Sequence, residues 1–430
     1  MKNNVKIFRQ FLCLLLMLTL VACSKSSDDA NSSEGENGGN GGEESFSFTL
    51  NFNRELGTLT TAIIYLSDVN GVILDEAPLV DNSQLLLTAT GETGAQYNIV
   101  TVYRTEFPSG NVDYGIGVLL DVVAGVYDFN YGIDVETNST PLLLSIYNIG
   151  ERPIRISNLD YLINSGGYSN DNGGTLDFSQ QFGVFEELGG FYMSIQRQSD
   201  DFERYYWSKN PPIIDPIEMD YLDLPLLDNM ITLEEPAGII SSQFKISGFH
   251  PSNGSDRGNR LATQQRGFTQ NFGVYGLPSG IFNRYHIDLS YLKNDVIYTI
   301  NRTQSNPFTV YPQSDLSLAV TNTSLNNYTA TSGGNYDIFE AIYEFKNIPT
   351  NEDYFLSVKG PKSNNISFSV GPLLTNIFRS QLNINNFEYQ ITDLKDYDYI
   401  NSYASYLKVF YETSNVPNQT LEYEMARSYQ

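Results

Sequence analysis

Phe46-Ser47-Phe48-Thr49-Leu50-Asn51-Phe52 places an apolar side chain at every second position. Side chains alternate across a β-strand, so this period lays one face on a core and the other toward water. Ala62-Ile63-Ile64-Tyr65-Leu66 is a second strand candidate, and Asp68-Val69-Asn70-Gly71 follows it. Asn-Gly supplies the positive φ that a tight hairpin needs. Val72-Ile73-Leu74 then carries the chain back, and further strands are expected over 84–89, 97–103 and 125–131. Short strands at this spacing, with turn signals between them, predict a β-sandwich over residues 45–136.

Working outward, residues 137–290 read as an irregular β-rich domain. Leu142–Tyr147, 154–156, 190–198, 203–208 and 239–249 are its strand candidates; 190–198 and 203–208 are expected to pair around Ser199-Asp200-Asp201. The Gly, Asn and Asp of 166–174 and the polar run 252–267 read as loops. Alternation resumes over 291–430, a second expected sandwich, with strands that include 296–301, 308–311, 316–321, 338–345, 354–358, 366–370, 387–391 and 406–411. The 30 Tyr and 25 Phe suit pleated, half-buried surfaces. The fold class is therefore all-β: two or three antiparallel sandwich-like domains in series.

The N-terminal end has a different grammar. Lys2, Lys6 and Arg9 precede an apolar run, 11–22, that is too short to span a bilayer as a helix. Leu20-Val21-Ala22-Cys23 closes it. This end resembles the signal and lipobox of bacterial lipoproteins, which implies cleavage after residue 22 and a lipid on Cys23. Ser24-Lys25-Ser26-Ser27-Asp28-Asp29 resembles the acidic export signal of Bacteroidota cell-surface lipoproteins, and implies an outer-membrane protein facing the exterior. Residues 23–44 are Ser, Gly, Asn and acid, a composition that cannot bury enough surface to offset its ordering entropy. A disordered tether is expected there. Cys13 departs with the signal and Cys23 is acylated, so no disulfide or thiol nucleophile is expected.

Leu66-Ser67-Asp68-Val69-Asn70-Gly71-Val72, followed by Ala124-Gly125-Val126-Tyr127-Asp128-Phe129, resembles the small transthyretin-like or carboxypeptidase-regulatory sandwiches. Such modules are non-catalytic. Ala124 stands where these modules usually have proline.

The chain carries 25 basic and 50 acidic residues, a net charge of −25. Such a surface repels nucleic acid. His250 and His286 are the only histidines, and neither sits in a metal-ligand or nucleophile motif. No nucleophile elbow or phosphate-binding loop is present. Carboxylate pairs such as Glu186-Glu187, Asp200-Asp201, Glu218 with Asp220 and Glu234-Glu235 are what so acidic a chain offers by chance. Asn170 to Gly174 with Asp177 has oxygens suited to calcium but reads first as a polar turn. No catalytic residue, metal or cofactor is expected.

Arg204-Tyr205-Tyr206-Trp207 holds the only tryptophan. On a strand Tyr205 and Trp207 share one face and Tyr206 takes the other. Tyr205 and Trp207 are the candidate ligand-binding residues, since Tyr and Trp combine large faces with a polar handle; the competing reading is that they fill a core. The expected role is a non-catalytic surface lipoprotein that binds or displays. Its partners are the membrane, through Cys23, and a glycan or another envelope protein. Two alternatives are a glycan-binding accessory lipoprotein of a polysaccharide-uptake system and a carboxylate-dependent hydrolase.

Overall fold

The computed structural model describes residues 44–52, 56–129, 140–151, 153–157, 162–170, 176–184, 190–197, 199–201, 203–211, 217–252, 258–268, 272–379, 382–398, 400, 402–411 and 422–429. Cys23 and the expected signal and tether, save Glu44, lie outside them, as do residues 171–174 of the expected loop and the pair Glu186-Glu187.

The chain is all-β. The first strands are β1 (Glu44–Phe52), β2 (Thr60–Asp68), β3 (Ile73–Leu79), β4 (Ser83–Gly91), β5 (Tyr97–Glu106), β6 (Val112–Val122) and β7 (Gly125–Phe129). Then come β8 (Thr140–Tyr147), β9 (Pro153–Ile156), β10 (Leu162–Asn170), β11 (Leu176–Val184), β12 (Phe191–Arg197), β13 (Arg204–Ser208) and β14 (Ile217–Asp220). They are followed by β15 (Asn229–Thr232), β16 (Ser241–Phe249), β17 (Asn259–Gln265), β18 (Val274–Leu277), β19 (Arg284–Lys293) and β20 (Val296–Gln304). The last strands are β21 (Ser317–Asn322), β22 (Tyr328–Gly333), β23 (Ile338–Asn347), β24 (Glu352–Pro361), β25 (Asn365–Phe368), β26 (Glu388–Tyr397) and β27 (Tyr423–Tyr429). Two short helices, α1 (Gly371–Phe378) and α2 (Tyr403–Tyr411), interrupt that run.

These elements form two compact units. The first takes residues up to 133, then 315–417 and 426–430; the second takes 134–314 and 418–425. The boundaries thus differ from the serial division at 136 and 290. Strand β24 runs parallel to β6, with Ile116 opposite Leu356 and Val118 opposite Val358, so the C-terminal stretch completes the N-terminal module. Local periodicity marks both strands but is silent on a partner so far along the chain. Residues 291–314 stay with the second unit because β19 and β20 form one hairpin, turned by Asn294 and Asp295 at φ 52° and 60°. Most ladders are antiparallel; β1–β7, β6–β24 and β8–β14 are parallel.

In the first unit the sheet β4-β1-β7 faces the run β6-β5-β2-β3. Phe48, Leu50 and Phe52 from β1 meet Ile64, Leu66, Ile99 and Leu119, all buried. These β1 residues are the alternating positions of the opening motif, so the sandwich follows from its period. The turn at Asn70-Gly71 forms as its sequence demands: Gly71 has φ 84°, and Asp68 Oδ1 accepts from the N–H of Asn70 and of Val72. Ile338 on β23 joins the same core, while its neighbour Phe339 points the other way and stacks on Phe368 of the sheet β21-β22-β25.

Three further readings change. The expected strand 406–411 belongs to helix α2, whose Tyr403, Tyr406 and Leu407 sit at helical spacing and pack on the first core. The Ser402 hydroxyl caps it by accepting from the Ser405 N–H at 3.1 Å. The polar run 252–267 contains β17, in which buried Asn259 and Gln264 use their amides as backbone surrogates. Asn259 accepts from the Tyr192 N–H, and Gln264 accepts from the Gly273 N–H and donates to Val274 O. Strand β10 likewise occupies part of the expected loop 166–174.

Candidate functional site

The second unit has one strand pair that matters here. Strand β12 (FYMSIQR) is almost wholly buried, and β13 (RYYWS) runs antiparallel to it as the outer strand of the sheet β13-β12-β9. Every residue of β13 is half-buried. Tyr205 and Trp207 lean on the core formed by Tyr192, Phe282 and Tyr285, whereas Tyr206 turns to the opposite core with Phe191 and Met193. The ring of Tyr205 lies 6.1 Å from that of Tyr192 at 28°, and Trp207 meets Phe282 edge-on at 5.6 Å. His250 lies against Trp207 with centroids 5.2 Å apart. Gly190 makes room for this indole: a Cβ there would fall 2.4 Å from Trp207 Cη2.

Beyond the edge of β13 the neighbouring chain begins as a strand and then leaves. Leu227 N–H donates to Glu203 O at 2.8 Å, and Tyr205 N–H donates to Pro225 O at 2.9 Å, around the Arg204–Leu226 bridge. The next rung requires an N–H from residue 225 to Tyr205 O, and proline has none. Before Pro225 the chain turns away through a single 3-10 turn, Tyr221–Asp223, capped by Asp220, whose side chain accepts from Leu222 N–H at 2.9 Å. Arg204 holds this turn by donating to Leu222 O at 3.1 Å and Leu224 O at 2.6 Å. Arg197 and Arg204 lie over the Tyr221 ring at 4.4 and 5.4 Å. Asp200 accepts from Arg197 through both oxygens, and from the Tyr221 hydroxyl at 2.5 Å. The Arg197 hydrogen bonds hold the Asp200 carboxyl below its usual range.

The departure leaves an open cleft of about 320 Å³. Tyr205, Tyr206, Trp207 and Met219 line one part; Asp223, Leu224, Pro225 and Ile281 line the rest. That volume is at the low end for small-ligand sites. Asp223 is its one lining carboxylate among the described residues. Burial raises the Tyr205 phenol pKa, and the charge of nearby Asp228 adds to the rise. Neither Asp223 nor Asp228 has an ion-pair partner among the described residues.

The other candidates are engaged elsewhere. His250 Nδ1 accepts from Ser252 N–H at 3.1 Å, and burial and then Lys209 lower its pKa. His286 is buried beside Thr303, and desolvation lowers its pKa. Glu235 accepts from Ser242 and pairs with Arg266 at 3.2 Å. In the first unit buried Glu340 accepts from Lys395 Nζ at 2.6 Å and Ser357 Oγ at 2.7 Å, with Lys359 Nζ at 3.6 Å. No group of three His, Cys, Asp or Glu able to hold a metal occurs among the described residues.

The structure thus puts Tyr205 and Trp207 on one open cleft while both also touch the core. Sequence reading missed Met219, Asp223, Leu224, Pro225 and Ile281, which reach the site from separate turns and strands. Pro225 carried the one available signal, a strand breaker inside the apolar run 222–233.

No family model matches this chain, and no curated protein matches it. Among solved structures it is similar to Escherichia coli alpha-2-macroglobulin activated by porcine elastase, at 9% identity and a TM-score of 0.11. The match covers 90% of this chain and 30% of that one, so the chain spans under a third of that protein's length; at that score the likeness carries no argument.

Proposed function

We propose that this chain is a non-catalytic binding lipoprotein, anchored in the outer membrane by lipid on Cys23 and facing the exterior, whose ligand enters the cleft beside β13. One observation carries the reading. Three consecutive aromatic residues, Tyr205, Tyr206 and Trp207, line a single open cleft. Aromatic side chains gathered around a few polar groups are the usual makeup of a recognition site. A carboxylate-dependent hydrolase has less support, because glycoside hydrolysis uses two facing carboxyls and among the described residues Asp223 is the one carboxylate that lines this cleft. A glycan-binding accessory role in polysaccharide uptake is the second reading, supported by the half-exposed Tyr205 and Trp207 rings, since such rings stack on sugars.

The test is a glycan-array screen of the full-length protein in a non-sugar detergent, run beside Trp207→Ala and Asp223→Ala. Binding lost in both variants, with circular dichroism unchanged, supports recognition of a glycan in this cleft. Glycan binding that both folded variants retain removes the cleft as its site.

A further inference from the structure

The alternation of the β12–β13 ladder fixes where the β13 backbone points. In an antiparallel pair, residues alternate between exchanging hydrogen bonds with the partner strand and facing away from it. Tyr192, opposite Trp207, sends its N–H away from β13 to Asn259 Oδ1 at 3.1 Å. Ser194, opposite Tyr205, sends its N–H to Ser157 Oγ at 2.7 Å. Tyr205 and Trp207 therefore face outward, as the Tyr205 bond to Pro225 confirms. Pro225 leaves Tyr205 C=O without its rung, and the turn at Tyr221–Asp223 removes a partner for Trp207. The Tyr205 C=O and the Trp207 N–H and C=O thus form a short open strand edge along the cleft, with no backbone partner among the described residues.

An open edge is a template for another strand. Recognition by strand addition takes affinity from the main chain and specificity from pockets for alternate side chains. Both parts are here: the three backbone groups, and beside them the apolar pocket of Tyr206, Met219, Leu224 and Ile281. Charge gives the remaining preference. Asp223 lines the cleft and exposed Asp228 stands near Tyr205, both without an ion-pair partner among the described residues, in a chain of net charge −25.

We propose that the cleft receives an extended peptide segment, which adds as a strand to the open edge of β13, buries one apolar side chain and directs a basic one toward Asp223. This rests on the binding role assigned above and names the class of partner. Sugar hydroxyls can bond single groups of this edge, but an extended backbone matches its donor and acceptors at strand spacing all at once.

Trp207 is the only tryptophan, so its emission reports the site directly. An array of hexapeptides, placing lysine or arginine and an apolar residue at every combination of positions, would be screened against the full-length protein in a non-sugar detergent. The best binder would then be titrated against Trp207 emission, beside the same peptide N-methylated at alternate amides and beside an oligosaccharide panel. The expected result is a saturable emission change with the parent peptide and at least tenfold weaker binding when the edge-facing amides are methylated. Asp223→Asn should weaken the parent severalfold and leave a lysine-to-alanine analogue unchanged. Equal binding of both N-methylated registers overturns strand addition. If only oligosaccharides change the emission, the peptide proposal fails while the binding role stands. If neither class does, both fail.

Discussion

Replacing Gly190 with alanine should unfold the second unit early, and the structure indicates by how much. The added Cβ would lie 2.4 Å from Trp207 Cη2, 2.8 Å from Trp207 Cζ2 and 2.8 Å from Ser208 O. Carbon atoms prefer separations of about 3.5–4.0 Å, so the indole has to move by roughly 1 Å or more. Its retreat is blocked by Phe282 at 5.6 Å and His250 at 5.2 Å between ring centroids. The Ser208 carbonyl, held in β13, cannot give way as a flexible side chain does. Forced overpacking of this kind costs about 1–3 kcal/mol. Gly190 also has φ 145°, where a side chain costs a further ~1–3 kcal/mol. Together the loss is about 2–6 kcal/mol. With a urea dependence of order 2 kcal/mol per molar, the midpoint should fall by about 1–3 M. Trp207 emission is the assay, since it reports this unit alone, and a red shift before unfolding is expected as the indole is driven from its packing. A Gly190→Ala midpoint within about 0.2 M of the parent, with unchanged emission, would refute the close-packing account of the site.

Other outcomes test the rest of the molecule. Glu340→Gln should destabilise the first unit by roughly 3 kcal/mol, because half-buried Lys395 and Lys359 lose the counter-charge of buried Glu340; a cost under about 1 kcal/mol would mean water already screens them. Burial alone would raise the Glu340 pKa, but Lys359 and Lys395 override it and hold it below the usual 4.5. Its contribution is therefore present above about pH 4.5 and lost on acidification, so the Glu340→Gln penalty should shrink in an acid titration. Asp396 behaves oppositely: burial and then Asp337, Asp398 and Asp315 push its pKa up from 3.8 to about 6. A raised carboxyl favours the fold below its unfolded value and loses that contribution as pH rises through 6. Asp396→Asn should thus add on the order of 1 kcal/mol at pH 8, a figure discounted for exposure, and almost nothing at pH 4; equal effects in melts at the two values would contradict this. Cys23→Ser should release the protein from membranes and abolish its acyl mass increment in mass spectrometry, and retention of both would exclude the lipid anchor.

The sequence made local rules legible and long-range ones opaque. The alternation in Phe46–Phe52 and the turn at Asn70-Gly71 act within a few residues, so both could be read directly. Tyr205 and Trp207 were placed on one face of a strand for the same reason. Strand β17 hid because its buried Asn259 and Gln264 are polar, and only their backbone partners on other segments explain their burial. Helix α2 hid behind tyrosines that suit strands equally well. The cleft was half legible: its rings are contiguous, but Asp223 and Ile281 arrive through separate turns.

The parallel pairing of β24 with β6 has a consequence in time. Leu356 is made 240 positions after its partner Ile116. At ribosomal rates of about 5–20 residues per second, roughly 12–48 s pass between them. During that interval β6 presents an apolar, unsatisfied strand edge, and nearly all of the second unit, residues 134–314, is synthesised before Leu356 arrives. The inserted unit is therefore positioned to mature first. The half-built outer one is the stage at which a growing chain is exposed to aggregation, and where a holding chaperone would have the most to protect.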